Sequence, residues 1–173
     1  MLFILLLFSM FPFKQSLTTA NKTPWVNTKE FIIVHHTWTV DGTIKWVLST
    51  LTKGNVSCHF VVDTNGDAYK IWSPDDILWH AGVSEWNGRK NMNNYSLGIE
   101  VIGPTNGQFT DEQRATVRKL ISHLMAVYRI PNANVLRHRD IAPKRKTDIA
   151  DSFCKINRLT WKQYQDSLVP KKI

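Results

Sequence analysis

FIIVHH, residues 31–36, decides the fold class. Phe31 to Val34 are apolar and mostly β-branched, so the run reads as a buried strand. The next segment changes period. DGTIKWVLSTL, from Asp41, places Ile44, Val47, Leu48 and Leu51 at helical spacing. Gly54 and Asn55 end that helix. SCHFVVDTNGDAYKIW, residues 57–72, returns to strand. Two short runs flank Asn65-Gly66, a hairpin signal because both residues tolerate positive φ. Residues 21–30 are polar and read as a lead-in.

Residues 73–95 hold Pro74, Gly82, Gly88 and several asparagines. This is a long loop region, and long loops in compact domains usually carry function. YSLGIEVIG, residues 95–103, is strand again. Thr110 and Gln113 form a capping box. Behind it Val117, Leu120, Ile121, Leu124, Met125 and Tyr128 fall on one stripe of a long helix, which Pro131 stops. His123 lies off that stripe and is expected at the surface. Val135 to His138 reads as a last short strand, and residues 158–168 allow a closing helix. Strands and helices alternate with one hairpin. That predicts an α/β fold: a mixed central β-sheet with helices packed on its faces.

The 173 residues, 43% hydrophobic and 11% aromatic, suffice for one core and one domain. There is no internal repeat and no low-complexity tract. The chain opens MLFILLLFSMFPF. The apolar stretch Leu2 to Phe13 would span about 18 Å as a helix, well short of the ~30 Å hydrocarbon core. Residues 1–20 are therefore expected to be a signal peptide cut after Ala20, leaving 21–173 as the domain, with no stable membrane span after cleavage. No Lys or Arg precedes the apolar run; Lys14 follows it. A membrane-tethered chain with an uncleaved segment is the alternative to an exported, periplasmic or secreted protein. Cleavage removes one lysine and no acid, taking the charge from +8 to +7.

A pI near 9.6 suits anionic partners: nucleic acid, anionic lipid or acidic cell-wall polymer. The basic cluster Arg137, Arg139, Lys144, Arg145 and Lys146 comes with no nucleic-acid motif, so a nucleic-acid partner is not expected. Two cysteines, Cys58 and Cys154, cannot make a dense disulfide framework and are expected as buried thiols. Glycosylation-type triplets stand at Asn21, Asn55 and Asn94.

Six histidines are present. His59, inside a strand, reads as a hydrogen-bonded core residue. His35 and His36 are adjacent on a strand, whose successive side chains point to opposite faces, so only one can serve a given metal. HRDIAPKRKTD, residues 138–148, sets His138 and Asp148 ten positions apart across Pro143. That excludes a single helical ligand face but not a loop that folds the two together. His, His and carboxylate form a catalytic zinc set with an open position. On spacing alone, a structural role for each histidine stands beside this reading.

IVHHT, VSCHFVVDTNGDAYKIW, WHAGVSEWNGRKNMNNYSLGIEVIG, FTDEQ and HRDIAPKRKTD follow one another in that order. Together they resemble the zinc-dependent N-acetylmuramoyl-L-alanine amidases, a family that includes cell-wall-recycling amidases, phage amidase-type lysozymes and peptidoglycan recognition proteins. The likeness covers roughly residues 30 to 153. It is greatest to the recycling branch, where the third ligand is Asp rather than Cys.

The resemblance implies Zn2+ ligated by His35, His138 and Asp148. It implies Glu100 as general base and Lys146 as the cation that stabilises the developing oxyanion. Without it, Glu100 reads as a surface strand carboxylate and Lys146 as a solvated charge. It also places residues 73–95 near a substrate groove, with Trp79, His80, Trp86, Asn87 and Asn94 as candidates to bind sugar and peptide. Packing within the loop is the equal alternative for each. A glycan on Asn94 would crowd that groove.

Two departures stand out. Cys58 occupies the place of a Tyr found in some relatives, and Ile149-Ala150-Asp151 replaces the usual Pro-Gly pair after RKTD. The expected activity is hydrolysis of the amide between N-acetylmuramic acid and L-alanine, by a monomer acting on peptidoglycan or muropeptides. A non-catalytic peptidoglycan-binding module is the alternative.

Overall fold

The structure, a computed structural model, describes residues 11–14, 22–39, 43–103, 108–157 and 159–169. The expected cut after Ala20 and the triplet at Asn21 lie outside the described residues. Strands β1 (Lys22–Val26) and β2 (Phe31–His36) precede helix α1 (Ile44–Lys53). Strands β3 (Phe60–Val62), β4 (Ala68–Lys70) and β5 (Asp76–Leu78) follow. A small hairpin of β6 (Glu85–Trp86) and β7 (Arg89–Lys90) leads through a 3-10 turn, Met92–Asn94, into β8 (Ser96–Val101). Helix α2 (Asp111–Tyr128), strand β9 (Val135–Arg137), helix α3 (His138–Ile141) and helix α4 (Trp161–Asp166) complete the order.

The central sheet has five strands in the order β4-β3-β8-β2-β9. β3, β8, β2 and β9 run parallel, and β4 is the antiparallel edge. β2 has parallel neighbours on both sides, which is why all six of its residues are buried and the apolar run is unbroken. Side chains still alternate. Ile32 and Val34 join Phe60, Leu97, Ile99 and the buried stripe of α2 in the main core. Phe31 and Ile33 face the other way, against Met92, Leu136 and Ile141. That alternation carries His36 to the α2 face and His35 to the opposite one.

Helix α2 begins as its sequence predicts. Thr110 Oγ1 accepts from the Gln113 N–H at 3.1 Å, and Gln113 Oε1 accepts from the Thr110 N–H at 3.0 Å. It ends at Arg129, in the left-handed region at φ 57°. His123 corrects the surface expectation: it is only 6% exposed. The apolar stripe is wider than its own helix suggests because Phe11 and Phe13 cover it. The Phe11 ring lies 5.6 Å from His123, and Phe13 stacks on Phe60 at 5.5 Å. The Lys14 N–H donates to the Ala68 carbonyl at 2.9 Å.

Two segments read as irregular are ordered pairings. Residues 22–26 are not a mere lead-in but strand β1, antiparallel to β5. Polar composition hid this because the two-stranded ribbon leaves Trp25 and Val26 facing solvent. Within 73–95, β6 and β7 form a hairpin through Asn87 and Gly88, both at positive φ (49° and 79°), as a two-residue type I′ turn requires. The β3–β4 hairpin turns at Gly66, φ 82°. Cys58 and Cys154 are buried free thiols. No helix among the described residues is long and apolar enough to cross a membrane.

Candidate metal centre

Parallel strands bring their C-terminal ends to one edge of the sheet, and the chemistry collects there. His35 is the penultimate residue of β2. Glu100 is the penultimate residue of β8 and His35's partner in register. His138 follows directly on β9. Past Pro143 the chain doubles back. Arg145 and Lys146 both donate their N–H to the Ala142 carbonyl, and the Arg139 N–H donates to the Asp148 carbonyl at 2.6 Å. This turn returns Asp148 to His138.

His35 Nδ1 and His138 Nδ1 are 2.8 Å apart. Asp148 Oδ2 lies 3.0 Å from His138 Nδ1 and 3.5 Å from His35 Nδ1. All three side chains are buried, and one ligand atom from each falls within 4.8 Å of the others. The far side of His138 fixes its tautomer. Its Nε2 is 3.1 Å from the Ala81 carbonyl, which can only accept, so Nε2 carries the proton and Nδ1 presents a lone pair. Asp148 Oδ1, also buried, has no hydrogen-bond partner among the described residues. Three electron-rich atoms converging at these distances need positive charge between them, supplied by protons or by a metal ion. Two imidazoles and a carboxylate suit a zinc ion with an open position. His36 points to the other face and takes no part in the cluster.

Electrostatics agree with those roles. Burial, then the neighbouring His138, pushes the His35 pKa down to about 4, so the ring is neutral at ordinary pH, as a ligand must be. Burial would raise Asp148, but the close approach of the His138 and His35 rings outweighs it and holds the carboxylate well below its usual range. Glu100 behaves oppositely. Burial and then repulsion from Asp148 push its pKa up to about 8, against the pull of Lys146. Its Oε2 is buried without a hydrogen-bond partner among the described residues. Glu100 is therefore not the surface carboxylate that residue type alone suggests.

A groove opens beside these groups, lined by His36, Trp38, Trp46, Glu100, Lys146 and Asp148 among others. Trp38 and Trp46 are about half exposed, at 46% and 53%, and form its apolar wall. Neither stood out in the sequence. Of the five residues expected at substrate, only His80 lines this groove. Its buried ring sets Nδ1 3.0 Å from His35 Nε2. Trp79 turns away, its indole N–H donating to Thr23 Oγ1 at 3.1 Å. Trp86 packs against the Phe31–Ile33 cluster. Asn87 shapes the β6–β7 turn. Asn94 belongs to the 3-10 turn, where its carbonyl accepts from the Thr28 N–H. The reason is common to the four: β1, β5 and the small hairpin turn a presumed open loop into a folded flap with its own packing. Asn93 was missed. Its Oδ1 accepts from the His80 and Ala81 N–H groups at 3.1 and 2.7 Å, fixing the backbone under the metal cluster.

Residues 25–151 match the family model described as N-acetylmuramoyl-L-alanine amidase. The chain is 34% identical over 114 residues to the 1,6-anhydro-N-acetylmuramyl-L-alanine amidase AmpD of Haemophilus influenzae, covering 65% of this chain and 59% of that protein. The match thus spans about three fifths of that relative's length. A crystal structure of an AmpD derivative shares the fold, with a TM-score of 0.68 at 24% identity over 91% of this chain and 96% of the other. The E. coli amidase AmiD, in complex with anhydro-N-acetylmuramic acid-L-Ala-D-gamma-Glu-L-Lys, gives a TM-score of 0.65 at 28% identity, over 76% of this chain and 56% of that one. The matched span contains His35, Glu100, His138, Lys146 and Asp148, and the chain belongs to the N-acetylmuramoyl-L-alanine amidase family.

Proposed function

We propose that this domain hydrolyses the amide between N-acetylmuramic acid and L-alanine in peptidoglycan or its fragments, with zinc held by His35, His138 and Asp148. The observation that carries the reading is the buried convergence of two imidazole nitrogens and a carboxylate oxygen beside Glu100, whose buried Oε2 has no hydrogen-bond partner among the described residues. A bound zinc would supply polarisation of the scissile carbonyl and acidification of the attacking water. Glu100 is the base that takes the water's proton and returns it to the leaving amine; burial holds it protonated in the metal-free protein, and the positive charge of a bound ion would ionise it. Lys146, on the groove wall, sets a cation beside the oxygen on which charge develops. Trp38 and Trp46 offer apolar faces to the substrate, and the net charge of +8 suits stem peptides rich in carboxylates.

The test is incubation of the zinc-loaded protein with an anhydro-N-acetylmuramyl peptide, following stem-peptide release by mass spectrometry. Release that disappears in Asp148→Ala supports the proposal. Binding of the muropeptide without release makes the domain a recognition module instead.

Export belongs to the same proposal and rests on the apolar run Leu2 to Phe13. N-terminal sequencing of the mature protein decides its form. A start at Asn21 means a cleaved signal peptide. Retention of Phe11 and Phe13, which pack on the main core, means an uncleaved chain, and cell fractionation then separates a tethered form from one that is not exported.

A further inference from the structure

We infer that His80 is a positioning residue which fixes His35 in the tautomer that presents Nδ1 to the metal, and that Gly98 exists to seat it. The inference rests on the metal-site reading and is independent of the amidase activity.

The chain of donors can be assigned by elimination. His80 Nε2 lies 3.4 Å from the Ser96 carbonyl and 3.4 Å from Ser96 Oγ. The carbonyl can only accept. The Ser96 hydroxyl has spent its proton on the Met92 carbonyl at 2.6 Å, so towards His80 it too can only accept. His80 Nε2 must therefore carry the proton, and neutral His80 has a bare Nδ1. That atom faces His35 Nε2 at 3.0 Å, so His35 donates there and its Nδ1 is left as a lone pair, 2.8 Å from His138 Nδ1. His138 reaches the same state through the Ala81 carbonyl. The WHAG segment thus holds both imidazoles, one by a ring and one by the next residue's backbone.

Gly98 explains how a second imidazole fits under the first. A Cβ at position 98 would lie 2.5 Å from the His80 ring, closer than any side chain tolerates. A glycine inside a strand weakens it, and here it marks close approach of another group to the backbone. The Gly98 N–H is itself committed to His59 Nδ1 at 2.9 Å, which pins the strand beneath the ring.

The experiment measures zinc affinity of the full chain by competition with a chromophoric chelator. His80→Leu keeps bulk but removes the acceptor, and should weaken zinc binding about 10- to 100-fold. His80→Asn can place Oδ1 where Nδ1 was and should stay near the parent value. Gly98→Ala should behave like His80→Leu, by displacing the ring. In the metal-free parent, long-range 1H–15N spectra should show the His80 proton on Nε2 and none on Nδ1. Parent-like zinc binding in His80→Leu, equal losses in the Leu and Asn variants, or a His80 proton on Nδ1 would each overturn the inference. Should His80→Leu not fold, the Gly98 variant and the spectrum of the parent still decide. Muropeptide turnover enters none of these readouts.

Discussion

Glu100 lies directly across from His35 in the parallel β2–β8 ladder. Register partners on adjacent strands project to the same face, so the proposed base and the proposed first ligand are set side by side by backbone hydrogen bonding. Glu100→Gln keeps the shape and removes the base. Turnover should fall by about 10²- to 10⁴-fold while zinc affinity is kept. Steady-state kinetics paired with metal titration checks both halves, and a variant with near-parental kcat would remove Glu100 from the mechanism.

Lys146→Ala should lower kcat by about 10²- to 10³-fold, as loss of an oxyanion donor does, with a smaller change in KM. The reverse pattern, a raised KM at unchanged kcat, would make Lys146 a binding residue only.

The raised pKa of Glu100 also predicts a pH dependence for the metal-free protein. The folded state holds the Glu100 proton up to about pH 8, whereas the unfolded chain releases it near its ordinary value. Between those values the native state binds more protons, so this group's stabilising contribution is present at low pH and lost as pH rises towards 8. The melting temperature of metal-free Glu100→Gln should show a flatter decline over that window than the parent. Identical slopes in the two proteins would mean that Glu100 is ionised in the folded state.

Asp148→Ala removes one of the three proposed ligands and leaves His35 and His138 facing each other Nδ1 to Nδ1. Zinc binding at micromolar metal should be lost, and with it activity. Asp148→Asn keeps an oxygen but no charge and should bind zinc more weakly than the parent. Equilibrium dialysis with metal analysis measures both. Full zinc occupancy in Asp148→Ala would show that the ion sits elsewhere.

Away from the centre, Gly66→Ala should destabilise the domain by about 1–2 kcal/mol, because Gly66 occupies left-handed space at φ 82°. A new Cβ would also lie 2.8 Å from Glu112 Cβ. Thr110→Ala should cost about 1 kcal/mol through loss of the α2 cap. Urea unfolding measures each, and no change in midpoint would contradict the turn and cap assignments.

The fold was legible where one period or one local signal dominates. Phe31 to His36 read as buried strand, Thr110 to Tyr128 as a capped amphipathic helix, and Asn65-Gly66 as a hairpin. Residues 22–26 and 73–95 were not legible, because their strands are short, face solvent on one side and depend on partners distant in sequence. The cluster of His35, His138 and Asp148 was legible as an ordered set of motifs; alternation along the strand allowed only one of His35 and His36, and the resemblance chose His35. The groove wall was not. Trp38 and Trp46 carry no local mark and gain meaning only when α1 packs on Val61 and Ile102 and brings Trp46 to the groove that Trp38 also lines. His123 misled for a related reason: its helix face is covered by Phe11 and Phe13, more than a hundred residues earlier in the chain.

The ladder that fixes His35, Glu100 and His138 is built from main-chain bonds and apolar packing, none of which involves the ion. On the proposed reading, a bound zinc would therefore be a passenger and not a staple. The proposed enzyme would then fold without metal and gain activity when metal is supplied. Chelation should silence it without unfolding it, and added zinc should wake the same molecules.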